Sequence, residues 1–190
     1  MHYAITGGIA SGKTWFCHKL QQHGNEVYSC DIAAKRIIRE DPQVRKALTD
    51  LVGESLYDEA HQLQKSVLAA FITQSKEQAA KVNAIVHPRV AADYIRWRDA
   101  QKTMHTFMEC ALLFESGFDQ YVERIILIYA DESTRLRRLM QRDGISLSQA
   151  QQWLDLQMPE DEKRQLAHVI IDNDPKAFLH LGRAKRKVLS

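Results

Sequence analysis

Gly7-Gly8-Ile9-Ala10-Ser11-Gly12-Lys13-Thr14 follows directly on the short apolar run Tyr3-Ala4-Ile5. The stretch fits G-x-x-x-x-G-K-[ST], in which glycines let backbone N–H groups curl around phosphate oxygens, the lysine reaches the terminal phosphates and the hydroxyl takes Mg²⁺. His2 to Thr6 reads as a strand, and Lys13 to Gln22 as a helix whose positive N-terminal end points at the anion. Strand before and helix after is the context the motif needs. It implies a bound nucleoside triphosphate; the plain alternative is a glycine-rich turn.

Working outward, Gly24-Asn25 marks a turn, and Glu26 to Ser29 reads as a second strand feeding a helix that starts near Asp31. Pro42 sits where another helix can begin, with Val44, Leu48 and Leu51 on one face and Gly53 at its end. From Leu63 to Gln101 the pattern is mostly helical, and His87-Pro88 should kink a helix there or divide two. Thr106 to Cys110 reads as a buried strand. Arg124 to Ala130 is a continuous apolar run suited to a parallel sheet covered on both faces, and Val169-Ile170-Ile171 is a short last strand. An arginine-rich helix is expected near Asp131 to Arg142 and a second helix near Ser146 to Gln157, with a closing helix from Pro175. Five strands alternating with helices predict a parallel α/β sheet.

The 190 residues suit one core with insertions, and 45% hydrophobic with 26% charged residues is ordinary for a soluble globular protein. A net charge of +2 gives no global attraction for nucleic acid, so anion affinity has to come from local clusters. Arg183, Lys185, Arg186 and Lys187 read as a solvated helix end rather than a nucleic-acid patch. Cys17, Cys30 and Cys110 are widely spaced without a C-x-x-C pair, so neither a disulfide framework nor a cysteine zinc site is expected. With no charged leader and no apolar run of about 18 residues, a cytoplasmic protein without a membrane span is expected.

Phosphoryl transfer needs two oxygens aligned, spreading charge neutralised and water excluded. Lys13, Thr14 and Mg²⁺ supply the donor half. Asp31, just past the second strand, stands on the sheet edge where ligands of open α/β folds collect, and either acts on the acceptor or caps the helix. Arg135, Arg138 and Arg142 share one face of a helix beside an apolar stripe of Leu136, Leu139 and Met140, which suits a lid closing over phosphates as well as a solvated face. Glu109 ends a central strand, where an acid holds a metal-bound water or a substrate hydroxyl, or serves structure alone. Glu115 has the same two readings, a helix start being its bland one. His87 bonds a substrate phosphate or caps a turn.

Taken in order, these motifs resemble the dephospho-CoA kinase family, the last enzymes of coenzyme A biosynthesis. The family's T-G-G-I-x-S-G-K-[ST] is Thr6 to Thr14 here, with Ala10 where glycine is usual; its D-A-D segment becomes Ser29-Cys30-Asp31 and ends on Lys35 in place of arginine. His87-Pro88, Ala111-Leu112-Leu113-Phe114-Glu115, Arg135 to Asp143, Gln157-Met158-Pro159 with Lys163, Ala167-His168 and Ile171-Asp172-Asn173 continue the match. The resemblance implies a three-layer P-loop kinase fold with a five-stranded parallel sheet, a helical acceptor-binding insertion at about 41–101 and a lid at about 131–163, all in one domain of residues 1–190. It implies ATP with Mg²⁺ held through Thr14, and transfer of the γ-phosphate to the ribose 3′-hydroxyl of dephospho-CoA. Lys13, Asp31 and Arg138 are then catalytic. Gly8, Ile9, Ala10, Ser11, Gly12, Lys13, Thr14, Arg142 and Asn173 bind the nucleotide, Asn173 near the adenine, while Asp31, His87, Glu109 and Leu113 bind the acceptor. Small-molecule substrates, no nucleic acid, no membrane and a monomer complete the expectation. Ser29, Ala111 and His168 depart from the pattern and leave another small acceptor, such as a nucleoside monophosphate, or a nucleotide-binding module without turnover, as alternatives.

Overall fold

A computed structural model of the chain describes residues 1–174. The closing helix expected from Pro175 and the basic residues beyond it lie outside the described residues.

Each expected strand forms: β1 (His2–Thr6), β2 (Val27–Ser29), β3 (Thr106–Glu109), β4 (Arg124–Tyr129) and β5 (Val169–Asp172). They make one parallel sheet in the order β2-β3-β1-β4-β5. The side-chain period of two then assigns the faces. Ala4, Tyr28, Met108 and Ile125 enter the larger core, while their neighbours Ile5, Val27, Phe107 and Ile126 join a smaller one with Cys17 and Ile128. Both faces are covered, as an all-parallel sheet requires.

The smaller core is closed by α1 (Lys13–Gln22), which contributes Phe16, Cys17 and Leu20. Against the other face pack α2 (Cys30–Glu40), α3 (Pro42–Val52), α4 (Lys65–Ile72) and α5 (Lys76–Asp99). Leu48, Leu56, Met108 and Leu113 are fully buried there, each contributing about 1.5–3 kcal/mol of transfer free energy. Asp41 caps α3 by accepting from the Gln43 and Val44 N–H groups, and Pro42 occupies the first turn, where its missing N–H costs nothing. His87-Pro88 does not divide two helices: α5 runs through both residues, and Val82, Val86, Val90 and Tyr94 on its buried face hold it in place.

The last three helices, α6 (Glu132–Asp143), α7 (Leu147–Asp155) and α8 (Glu160–Leu166), sit beyond β4. Asp131 caps α6, and Ser146 with Gln149 forms a reciprocal capping box on α7. α6 and α7 have a small core of their own, Leu139, Ala150 and Leu154, which also takes in Ile9 and Ala10 of the glycine-rich loop. Among the described residues no helix is long and apolar enough to cross a membrane.

Candidate active site

After β1 the chain crosses to β2 at one edge of the sheet, and β3 later fills the gap between them. Loops leaving the C-terminal ends of β1, β2 and β3 therefore meet over one crevice, the position where open α/β sheets take ligands. A cleft of about 1100 Å³ opens there, with Lys13, Thr14, Asp31, Glu109, Arg138 and Arg142 in its walls.

The loop's shape is set by local chemistry. Gly12 takes φ 104° to start α1, a conformation that favours glycine. Ala10 also lies at positive φ, 62°, so the methyl group that replaces the family's glycine is held in a left-handed conformation costing about 1–2 kcal/mol. Contacts to the small core of α6 and α7 offset it. Gly8 is small for another reason: a Cβ there would overlap the Arg135 guanidinium and lie 2.6 Å from Glu160 Oε2.

Those two side chains belong to a buried arrangement that braces the loop from the α6–α8 side. Gly8 N–H donates to both Glu160 carboxylate oxygens at 3.2 and 3.1 Å, and Ile9 N–H donates to Gln157 Oε1 at 2.8 Å. Arg135 Nη1 stands 3.8 Å from Glu160 Oε2, and Arg135 Nε donates to the Ala130 carbonyl. Arg138 donates to the Ser11 and Asn173 carbonyls at 3.3 and 2.9 Å, and Asn173 Nδ2 donates to the Ser11 carbonyl at 2.8 Å.

Lys13 is buried, and its ammonium donates to the Gly7 and Gly8 carbonyls at 2.9 and 3.1 Å. Burial pushes its pKa down, with the charges of Asp31 and Glu109 opposing. Thr14 donates its hydroxyl to Glu109 Oε1 at 2.9 Å, which ties the loop to the end of β3. Ser11 Oγ is buried and finds no hydrogen-bond partner among the described residues. A cradle that bonds anionic oxygens leaves such a hydroxyl waiting for them. Asp31 is exposed at the cleft wall in the first turn of α2.

Several expectations are corrected. Asp31 is not the cap of α2; Ser29 is, its Oγ accepting from the Ile32 N–H. The arginine face is not uniformly cationic toward solvent: Arg135 is 6% exposed and paired with Glu160, Arg138 is engaged on loop carbonyls, and Arg142 lies at the cleft bonded to Asp143. Leu113 is fully buried in the main core beneath the cleft wall, because the turn after β3 sends it inward while Ala111 and Leu112 line the cleft. His87 does not face this cleft; it lines a neighbouring groove beside Phe118 and Glu115. Glu115 starts no helix. Its carboxylate accepts from Met158 N–H at 2.7 Å and stands 3.4 Å from the fully buried Lys163 ammonium. His168 belongs to the opposite edge of the sheet, at the start of β4 and β5, where its ring accepts from Ile125 N–H.

The braces Gln157 and Glu160 were not foreseeable as loop partners, since about 150 residues separate them from the glycines. The only signal was the Gln157-Met158-Pro159 match.

Compared with known proteins, the chain matches the family model described as dephospho-CoA kinase over residues 1–178. A dephospho-CoA kinase of Bacteroides fragilis is 39% identical over 171 residues, covering 90% of this chain and 83% of the relative. Among solved structures, a protein of Thermus thermophilus superposes with a TM-score of 0.79 at 28% identity, covering 100% of this chain and 96% of that one. The dephospho-CoA kinase of Campylobacter jejuni superposes at 0.63 with 27% identity, covering 91% and 88%.

Proposed function

The chain belongs to the dephospho-CoA kinase family, and we propose that the cleft above Gly7 to Thr14 is where ATP gives its γ-phosphate to the ribose 3′-hydroxyl of dephospho-CoA. One observation supports this placement above the others. Lys13, Thr14, Asp31 and Glu109, brought from the ends of three strands, line a single cleft.

In this reading the loop N–H groups other than those of Gly8 and Ile9, which Glu160 and Gln157 hold, take the phosphate oxygens with the Ser11 hydroxyl, and Lys13 leaves the Gly7 and Gly8 carbonyls to follow the β- and γ-phosphates. Asp31 accepts the hydrogen bond of the ribose 3′-hydroxyl and its proton as the oxygen attacks phosphorus. Arg138 and Arg142 face the same space from α6 and neutralise charge on the transferring group. Asn173, held against the loop at Ser11, backs the adenine side. α6 and α7 act as the lid over the nucleotide, and α3 to α5 as the acceptor-binding insertion.

The donor set also fits Mg²⁺, a hard cation that takes carboxylate, hydroxyl and phosphate oxygens. Thr14 Oγ1 and Glu109 would hold it, and its charge would offset that on the β- and γ-phosphates. A reducing cytoplasm suits the three cysteines, all free and buried.

Two departures from the family pattern serve structure, Ser29 capping α2 and His168 bonding β4 at the other end of the sheet, while Ala111 keeps the backbone carbonyl that a proline would also present, accepting from Lys163 at 3.4 Å. None removes a group assigned to the chemistry. Purified protein incubated with ATP, Mg²⁺ and dephospho-CoA should form CoA and ADP in equal amounts. ADP release without CoA, or turnover only with a nucleoside monophosphate, would overturn the assignment.

A further inference from the structure

We infer that the groove between α5 and the segment 115–121 is the subsite for the pantetheine arm of the acceptor. This deepens the proposed reaction and rests on dephospho-CoA being the substrate. The groove measures about 490 Å³ and adjoins the main cleft at Asn83, a residue that lines both.

Charge separates the two spaces. The cleft presents Lys13, Lys35, Arg138 and Arg142, which suit the phosphates of both substrates. Among the described residues no lysine or arginine lines the groove. Its one ionisable acid, Glu115, is already bonded to Met158 N–H and paired with Lys163. Burial lowers the His87 pKa against the opposing charge of Glu115, so the imidazole is neutral at pH 7. Two further surface depressions, one lined by Arg36, Glu40 and Arg96 and one by Lys46, Asp50 and Glu59, share no residue with the cleft, and a third, which meets it at Gln157, is lined by Lys76, Glu132, Arg135, Glu160 and Asp161.

The groove matches a neutral chain that alternates apolar and amide groups. Ala80, Ala84, Ala91 and Phe118 give it apolar surface suited to methyl and methylene groups. Asn83 supplies a donor and an acceptor for amides, and the Ser116 hydroxyl, which donates to the Leu113 carbonyl at 3.1 Å, supplies an acceptor. A further acceptor comes from the backbone: Pro88 has no N–H to give the Ala84 carbonyl, which therefore lacks its usual helical donor where both residues line the groove. An acceptor whose adenosine diphosphate end sits among the cations has its neutral arm directed past Asn83 into this space.

Ala84 is exposed on α5, so Ala84→Trp fills the groove without entering the core. The expected result is a KM for dephospho-CoA raised on the order of tenfold or more, with KM for ATP and the melting temperature unchanged. AMP, which has the same ribose and no arm, should inhibit competitively against dephospho-CoA with the same Ki in variant and wild type. Ala80→Trp should act in the same direction. An unchanged KM for dephospho-CoA in both variants, or an AMP Ki that rises in parallel, would overturn the subsite. Wild-type protein that forms no CoA would instead sink the proposed reaction, and the two failures are distinct.

Discussion

The Thr14 hydroxyl donates to Glu109 Oε1 at 2.9 Å, joining the last residue of the glycine-rich loop to the last residue of β3. Glu109 is 8% exposed and faces the cleft, so its charge is aimed at whatever Thr14 meets there. Glu109→Gln keeps an oxygen for the hydroxyl and removes the charge. We expect half-saturation by Mg²⁺ to move about 10–100-fold higher in the CoA-forming assay, with little change in melting temperature. A Mg²⁺ dependence identical to wild type would reduce Glu109 to a structural partner of Thr14.

Gly8→Ala tests the brace on the loop. The added methyl group meets the Arg135 guanidinium, which is buried, paired with Glu160 and bonded to the Ala130 carbonyl, and the Glu160 carboxylate that it pairs with, so the loop has to give way rather than they. Overpacking of this kind costs about 1–3 kcal/mol, readable by urea titration, and the displaced N–H groups should raise KM for ATP. A variant with unchanged stability and unchanged KM would show that the brace yields freely.

The contrast between Gly8 and Glu160 also marks how far the sequence could be read. Strand positions were legible because apolar runs such as Ile125 to Ile128 need no partner to declare themselves, and α1, α3 and α6 carried their caps or punctuation in Gly12, Asp41 with Pro42, and Asp131. α8 was not legible: Glu160-Asp161-Glu162-Lys163-Arg164 has no apolar period, and the helix is held by polar contacts, the fully buried Lys163 paired with Glu115, 48 positions earlier, and Glu160 bonded to Gly8. Arg135 shows the same limit. Its spacing put it with Arg138 and Arg142 on one face, but only tertiary packing decides which arginine on a face meets a buried carboxylate. Leu113 is the converse case, a motif residue whose role in this fold is core packing.

His87 should leave a mark on acid stability. Burial holds its pKa below 6.5, while the charge of Glu115 pulls the other way. As pH drops below 6.5 the unfolded chain takes up this proton more readily than the folded one, so folding stability falls until the folded value is passed. His87→Gln removes the difference, and its unfolding free energy should vary less than that of wild type between about pH 6.5 and 5. Equal slopes in denaturant titrations across that range would place the ring in solvent rather than beside Phe118.

Asp31 and Ser29 separate chemistry from capping within three residues of one helix. Ser29 accepts from the Ile32 N–H, whereas Asp31 lies one step inside the first turn and faces the cleft. Asp31→Asn should therefore lower kcat by about 100-fold or more, with KM for ATP and the unfolding midpoint close to wild type. Ser29→Ala should do the reverse, costing about 0.5–1 kcal/mol of stability while kcat stays within a small factor. Near-wild-type turnover in Asp31→Asn would remove it from the acceptor side. A large loss of kcat in Ser29→Ala with stability intact would move the acceptor contact to the cap, because a cap alone acts on folding and leaves the transition state untouched.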